Sequence, residues 1–252
     1  MHMLDRAEGL REGRTPYVLA TVVRAERPTS AKPGDRALVL SDGSMEGFVG
    51  GDCAESTVRA QGMRLLRTGE STLLRITPTA TAETTTEGLV TVGNPCLSGG
   101  SLDIFLEAVL PPLLIHIHGD APIARALRTV GKALGHDVRP SGPLLPEDLA
   151  AVVVASHGKD EAPILLSAVR SGVPYIGLVA SQKRGQAVLN SLDLSPTDRL
   201  RIHTPAGLNI GAHTPSEIAL SIYAELLSLR PHPTPTPTPT APETTTHTCH
   251  HD

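Results

Sequence analysis

The stretch Val49-Gly50-Gly51-Asp52-Cys53-Ala54-Glu55-Ser56 marks the place where an extended segment turns into a helix. Before it, Asp42-Gly43 separates two short apolar segments, which is the strongest short-range signal for a β-hairpin. After it, apolar residues recur at the spacing of one helix face over residues 54–69. At such a corner glycine allows unusual backbone dihedral angles, and the helix amides attract anions and lower the pKa of a thiol. The corner therefore suits an anionic ligand, although Cys53 alone is equally well explained as a small buried residue in a tight turn.

A second glycine-rich corner lies at Gly93-Asn94-Pro95-Cys96-Leu97-Ser98-Gly99-Gly100. It is followed by the alternating segment 101–107, which predicts a strand. Each of the two corners thus places one cysteine beside a predicted strand. We expect the polar segment 24–34 and the threonine-rich segment 77–88 to be loops, the second of them mobile.

Composition restricts the class of protein. The formal net charge is −4 and there is no basic run, which argues against a dedicated nucleic-acid binder. The N-terminus lacks the apolar run of a signal peptide, and no segment approaches the roughly 18 consecutive apolar residues of a membrane span. Three cysteines, widely spaced and odd in number, do not form a disulfide framework. We therefore expect a cytoplasmic protein with reduced thiols.

The 252 residues divide into three predicted parts. Residues 1–110 form a small α+β domain that carries both cysteine corners. The pair Pro111-Pro112 marks a boundary, because prolines do not continue a central strand. Strands and helices then alternate over 111–230, which predicts a parallel sheet and a Rossmann-like α/β domain. Residues 231–252 are Pro-Thr repeats and polar residues, which predict a disordered tail.

The glycine loop of the second domain departs from the dinucleotide fingerprint. The pattern Gly-x-Gly-x-x-Gly falls on Gly119, Ala121 and Ala124, and an alanine methyl at the second position obstructs close approach of a pyrophosphate. The second strand, near Val138, is not followed by the acid that would bind a ribose. The sequence predicts the fold but disfavours an NAD(P)-dependent oxidoreductase. The helix N-terminus still has amide dipoles that accept a phosphate.

Together and in this order, the two cysteine corners resemble those of the XdhC/CoxI family, accessory proteins that mature molybdenum hydroxylases such as xanthine dehydrogenase and carbon monoxide dehydrogenase. Residues 50–55 are similar to the family pattern Gly-Gly-x-Cys-x-Glu, and residues 96–100 to Cys-x-Ser-Gly-Gly. In the second domain the resemblance extends to His157 with Asp160-Glu161, to residues 175–178 and 181–184, and to the long motif 205–219.

The resemblance implies a chaperone, rather than an enzyme, that binds molybdenum cofactor in its cytosine dinucleotide form, protects it during sulfuration and delivers it to a hydroxylase. It also implies that the loop after the first strand brings basic and hydroxyl residues near the first cysteine. The residues implied for cofactor binding are Gly50, Gly51, Asp52, Cys53, Glu55, Cys96, Ser98, Gly99, Gly100, Gly119, His157, Ser181, Lys183 and Arg184. Of these, Cys53 and Cys96 are the expected metal ligands.

The implied partners are a client molybdenum hydroxylase, a cysteine desulfurase, a cytidylyltransferase and a second copy of the chain. Two other functions stay open: a non-catalytic dinucleotide-binding regulator and, less favoured, an NAD(P)-dependent oxidoreductase. Taken singly, His157 is typical of a hydrogen-bonded turn, and Lys183 and Arg184 of a solvated helix start. Their predicted convergence at one edge of a parallel sheet favours a ligand site. A hydrolase is disfavoured because no Gly-x-Ser-x-Gly elbow exists, and zinc because the cysteines lack partners at ligand spacing.

Overall fold

The structure is a computed structural model, and it describes residues 3–79, 82–94, 99–142 and 144–230. The chain divides into two compact units, one ending at Pro111 and the other beginning at Pro112. Within the described ranges, no helix combines the length and the apolarity that crossing a bilayer requires. The proposed tail, residues 231–252, lies outside the described residues, as does Cys96.

Over its described residues, the first unit is a seven-stranded sheet with two helices, as the predicted α+β class requires. Its elements are α1 (Met3–Glu12), β1 (Tyr17–Glu26), β2 (Arg36–Leu40), β3 (Met45–Gly47), α2 (Asp52–Thr68), β4 (Thr72–Thr77), β5 (Thr84–Thr86), β6 (Leu89–Gly93) and β7 (Ser101–Val109). The strand order is β3-β2-β1-β7-β4-β6-β5, and β4 and β6 are parallel. The predicted hairpin is confirmed, since β2 and β3 pair antiparallel around Asp42-Gly43.

Alternating side chains give the sheet its apolar core. Ala54, Val58 and Leu65 of α2 pack against buried residues of the central strands, among them Leu74 and Ile104. Fully burying such a side chain stabilises the fold by about 1.5–3 kcal/mol. A second cluster joins α1 to β1 and β2 through Ala7, Leu10, Tyr17 and Leu38. These contacts fix α2, and therefore its first turn, against the sheet.

The strand-to-helix corner depends on Gly50. Its φ angle is +138°, a value that residues with a side chain rarely adopt, and a Cβ placed there would lie 2.9 Å from the Cβ of Ala54. Gly51 is different: it is the extended N-cap of α2, with φ −71°, and nothing lies within 4 Å of a Cβ built on it. Of the two adjacent glycines, only Gly50 is therefore demanded by the backbone.

The second unit is a doubly wound parallel sheet. Its elements are β8 (Leu114–His118), α3 (Pro122–Ala133), β9 (Asp137–Pro140), β10 (Leu149–Val154), α4 (Glu161–Arg170), β11 (Tyr175–Leu178), α5 (Gln182–Ser191), α6 (Pro196–Arg199), β12 (Ile202–His203) and α7 (Pro215–Ser228). The strand order is β12-β11-β10-β8-β9, and every pair is parallel. The predicted Rossmann-like class is confirmed. The order reverses between β8 and β10, and ligands of such sheets bind at the carboxyl ends of the strands beside this point.

The predicted loop at 77–88 is wrong in part. Thr84–Thr86 form the edge strand β5, which pairs antiparallel with β6. Three consecutive threonines suit an exposed edge, because β-branched side chains favour extended backbone even without burial. The short elements α6 and β12 are not predicted by the sequence pattern either. Both have too few residues for a periodic apolar pattern.

The two glycines provide a matched test of the corner. Gly50→Ala should destabilise the protein by about 2–4 kcal/mol, because it adds a methyl group to a crowded site and forces a strained φ angle. Gly51→Ala should cost about 1 kcal/mol or less, the usual effect of alanine at an N-cap. Denaturant unfolding of both variants measures the difference. Equal losses would contradict this account of the corner.

Candidate functional site

A small cavity of about 170 Å³ lies beside Cys53, and we refer to it as the cysteine cavity. It is lined by Thr29, Ser30, Gly51, Cys53, Ala54, Ile76, Asn94, Gly100 and Leu102. These residues come from the loop after β1, the first turn of α2, strand β4 and the two chain segments on either side of residues 95–98. Cys53 itself is half-buried.

Asn94 closes one side of the cysteine cavity. Its side-chain amide donates to the carbonyl oxygen of Cys53 at 2.9 Å and to Oγ1 of Thr57 at 3.2 Å. Its backbone N–H donates to the carbonyl of Thr77 at 2.9 Å. The end of β6 is thereby tied to the first turn of α2 across 41 residues of sequence.

Gly100 brings the start of β7 to the cysteine cavity. A Cβ at this position would lie 2.3 Å from the carbonyl oxygen of Pro28, so only glycine allows the start of β7 to pack against the loop after β1. The same loop contributes Thr29 and Ser30 to the cavity. The expectation that hydroxyl residues of this loop approach the first cysteine is confirmed. The basic residues of the loop are not among the lining residues.

The residues predicted for the first unit have different positions. Gly51, Cys53 and Gly100 line the cysteine cavity, whereas Asp52 and Glu55 do not. The carboxylate of Glu55 instead forms an exposed ion pair with Arg59, one turn along α2. Gly50 shapes the corner, and Gly99 has a φ of +68° and does not line the cavity. Cys96 and Ser98 lie outside the described residues, so their roles stay predictions.

The second unit contains a larger cavity of about 630 Å³, which we call the strand-end cavity. It is lined by Ile123, His157, Val179, Ala180, Ser181, Arg184, Pro205, Ala206, Gly207, Leu208, Asn209, Ile210, Ala212, Ile218 and Ser221. Most of these residues directly follow β10, β11 and β12, so the cavity lies at the carboxyl ends of these strands. His157, Ser181 and Arg184 are brought together as predicted, whereas Gly119 and Lys183 are not among the lining residues.

One wall of the strand-end cavity is built on Glu161. This carboxylate is buried and accepts hydrogen bonds from the N–H of Gly158 at 2.8 Å, from Oγ of Ser156 at 3.3 Å and from the guanidinium of Arg184. Burial acts to raise the pKa of Glu161, but the hydrogen bonds from Arg184 and Gly158 outweigh it, and the net pKa is lowered. His157 adopts a left-handed φ of +54° in the turn that Glu161 holds.

A second part of the lining, around Gly207, is held in place by Glu225 of α7. Its Oε2 accepts from the Tyr175 hydroxyl at 2.6 Å and from the Gly207 N–H at 2.8 Å, and its Oε1 lies 3.4 Å from Nδ1 of His203. The His203 ring stacks on Tyr175 with centroids 4.9 Å apart. Burial, together with the hydrogen bond to Glu225, raises the pKa of Tyr175. Glu225 therefore anchors the loop that follows β12 to the sheet and to α7.

Gly119 does not line the strand-end cavity but allows two turns to pack closely together. Its φ is +105°, and a Cβ there would lie 2.4 Å from the carbonyl oxygen of Ala155, so glycine is required where the β8 and β10 turns meet. The guanidinium groups of α3 fold back onto this turn: Arg128 donates to the carbonyl of Gly119, and Arg125 to that of Asp120 at 2.7 Å. In the turn that corresponds to the pyrophosphate loop of dinucleotide-binding proteins, two backbone carbonyl groups are thus hydrogen-bonded by the protein's own arginines.

Metal-binding groups are sparse in the part of the chain that the structure describes. There, no cluster of three or more histidine, cysteine or carboxylate side chains is arranged to hold a metal ion. Within the cysteine cavity the thiol of Cys53 is the soft donor, and Thr29 and Ser30 supply hydroxyl groups.

The chain thus consists of a cysteine-bearing α+β unit followed by a doubly wound parallel-sheet unit. Family models match both units. The family model described as "XdhC and CoxI family" matches residues 10–77, and the model described as "XdhC Rossmann domain" matches residues 115–226. The chain belongs to the XdhC and CoxI family.

The individual proteins that this chain resembles have low sequence identity to it. Protein YqeB of Escherichia coli K12 is 26% identical over 261 residues, which span 91% of this chain and 46% of YqeB. A probable xanthine dehydrogenase component from Bacillus subtilis is 35% identical over 85 residues, or 34% of this chain and 24% of that protein. A crystal structure described as a xanthine dehydrogenase from Bacillus halodurans is covered over 96% of its length by 91% of this chain, at 17% identity and a TM-score of 0.41. The chain spans less than half the length of the two curated relatives.

Sequence reasoning does not assign the residues that hold the two cavities in shape. Asn94 stands inside the second glycine-rich corner, and an amide before a proline is the one local signal that could have singled it out. Glu161 stands out only as part of a motif. Glu225 lies 50 residues from Tyr175, so no local pattern connects the two.

Substitution of Glu225 should loosen the strand-end cavity. Glu225→Ala leaves the Tyr175 hydroxyl and the Gly207 N–H without their acceptor, and we expect a loss of about 2–4 kcal/mol in unfolding free energy. Glu225→Gln keeps one acceptor oxygen and should lose about half as much. Urea unfolding of both variants tests this, and an unchanged midpoint for Glu225→Ala would contradict the anchoring role.

Proposed function

We propose that this chain is a chaperone that binds molybdenum cofactor and delivers it to a molybdenum hydroxylase. Membership of the XdhC and CoxI family supports the broader part of this statement, a role in molybdenum hydroxylase maturation. The observation that carries the finer part is the cysteine cavity, in which a half-buried thiol at the start of a helix shares the lining with two hydroxyl residues.

The chemistry of the cysteine cavity fits the metal end of this cargo. Molybdenum in the cofactor is bound by a dithiolene and carries oxo groups. A thiolate is the soft ligand that such a centre accepts, and the hydroxyl groups of Thr29 and Ser30 can donate hydrogen bonds to oxo ligands. Cys53 lies in the first turn of α2, where backbone amides without an intrahelical partner are available to an anionic ligand. We keep Cys96 as the proposed second sulfur, because the segments on both sides of it line the same cavity.

The volume of the cysteine cavity limits the size of the ligand that it can hold. About 170 Å³ is smaller than the roughly 300–1,000 Å³ of a typical small-molecule pocket, so it suits a metal centre rather than an entire dinucleotide. The strand-end cavity, at about 630 Å³, is within that range. We propose it as the binding site for a nucleotide-bearing ligand such as the cytosine dinucleotide form of the cofactor, at the strand edge where α/β sheets bind ligands.

The strand-end cavity by itself also fits a dinucleotide-binding regulator, which is the second candidate function. An NAD(P)-dependent oxidoreductase is less well supported, because Ala121 replaces the second glycine of the dinucleotide fingerprint. A xanthine dehydrogenase is the favoured client class, since one relative carries that name. A cysteine desulfurase, a cytidylyltransferase, a homodimer and a cytoplasmic location stay predictions.

Removal of the Cys53 thiol should greatly reduce molybdenum binding without preventing the protein from folding. Cys53→Ala should unfold near the wild-type temperature, because a small side chain at a turn is cheaply replaced. Protein purified from a molybdate-replete host should nonetheless lose most of its molybdenum, measured by elemental mass spectrometry, and fail to activate its client. Cys96→Ala should lose less, and Cys249→Ala, in the C-terminal segment, should lose none. Wild-type molybdenum content in Cys53→Ala would overturn the proposal.

A further inference from the structure

The strand-end cavity has little positive charge with which to hold a phosphate. Among its described lining residues, Arg184 is the one with a permanent positive charge. Lys183, the neighbouring cation on α5, is not part of the lining. Proteins that bind a pyrophosphate usually surround it with several cations or with glycine-rich backbone amides.

The charge of Arg184 is already matched. Its guanidinium donates to Glu161, whose side chain is only 5% exposed, while that of Arg184 is 35% exposed. A phosphate that drew Arg184 away from Glu161 would leave a buried carboxylate without its cation, which is strongly unfavourable. A phosphate that bound the exposed part of the guanidinium would meet a charge that Glu161 already offsets. Glu161 also holds the Ser156 and Gly158 end of the turn, so it cannot move away without disturbing that wall.

The remaining lining is mostly apolar or uncharged. The apolar side chains are Ile123, Val179, Ala180, Pro205, Ala206, Leu208, Ile210, Ala212 and Ile218. Ser181, Asn209 and Ser221 add hydrogen-bonding groups without formal charge. Such a lining suits a flat ring whose faces are apolar and whose edge carries donors and acceptors.

We infer that the strand-end cavity binds an uncharged planar heterocycle, a nucleobase or a pterin, and leaves any attached phosphates in solvent. Glu161 is the residue that sets this preference, by holding the charge of Arg184. The inference rests on the proposed function only in taking this cavity as the site of a nucleotide-bearing ligand.

Calorimetric titration of the full-length protein with cytidine, cytidine monophosphate and hydroxymethylpterin tests the ligand class. The nucleoside and its monophosphate should bind within about threefold of each other, with little change between about 50 and 200 mM salt, since no phosphate contact is lost to screening. Whichever ring binds more tightly identifies the source of the heterocycle. A monophosphate preference of tenfold or more, about 1.4 kcal/mol, or no binding by any of the three, would overturn the inference.

Substitutions in and beside the strand-end cavity test which residues determine its ligand preference. Glu161→Gln releases the charge of Arg184 and should strengthen monophosphate binding about tenfold while leaving cytidine binding unchanged. The double variant Glu161→Gln with Arg184→Gln removes both charges and should restore the wild-type ratio, which keeps the test valid if the single variant is unstable. Ile210→Glu places a charge on the apolar lining and should weaken ring binding about tenfold. Ring binding unaffected by Ile210→Glu would place the ligand elsewhere and contradict the inference.

The two proposals fail separately. If molybdenum content depends on Cys53 but no ring binds, the present inference is wrong and the chaperone role stands. If the rings bind as expected while Cys53→Ala retains its molybdenum, the chaperone role is wrong and the strand-end cavity keeps its assigned ligand class.

Discussion

The backbone of Gly50 is the constraint on which the cysteine cavity depends. Its φ of +138° turns the chain from the hairpin into α2 within a space that has no room for a side chain. That turn places Cys53 in the first helical turn, where Asn94 binds its carbonyl oxygen. The cavity is therefore assembled by backbone geometry and one side-chain amide. We expect the Cys53 side chain to contribute little to folding, so that a ligand can use the thiol without a large loss of stability.

In the second unit, two largely buried carboxylates hold the cavity walls in place. Glu161 and Glu225 each accept several hydrogen bonds, and each fixes a turn that follows a strand end. Buried carboxylates are tolerated only when they are paired or hydrogen-bonded, so the loss of a partner should disturb the turn that each acid holds. The consequence is a cavity of defined shape whose one guanidinium, among the described lining residues, is neutralised. Shape and apolar surface, more than charge, then decide which ligand it accepts.

Local features of both units could be predicted, because each has a signal within a few residues. The Asp42-Gly43 hairpin, the helix after Cys53 and the strand–helix alternation after Pro112 all follow from turn chemistry and periodicity. Strand order in the first sheet could not be predicted, since β7 pairs with both β1 and β4 across long stretches of sequence. The same limit applies to the strand-end cavity. Motifs predicted several of its residues, but the pairing of Arg184 with Glu161 is a tertiary contact that no local pattern indicates.

Alkylation of Cys53 by iodoacetamide, followed by peptide mass spectrometry, tests the central claim most directly. Full-length protein isolated from molybdate-replete and molybdate-starved hosts is compared, with Cys249 as an internal reference. If Cys53 binds the metal end of the cofactor, its alkylation should be about tenfold slower in the molybdenum-loaded protein, because a ligated thiolate is not available as a nucleophile. Cys249 should react at the same rate in both. Equal alkylation of Cys53 in the loaded and unloaded proteins would contradict the account.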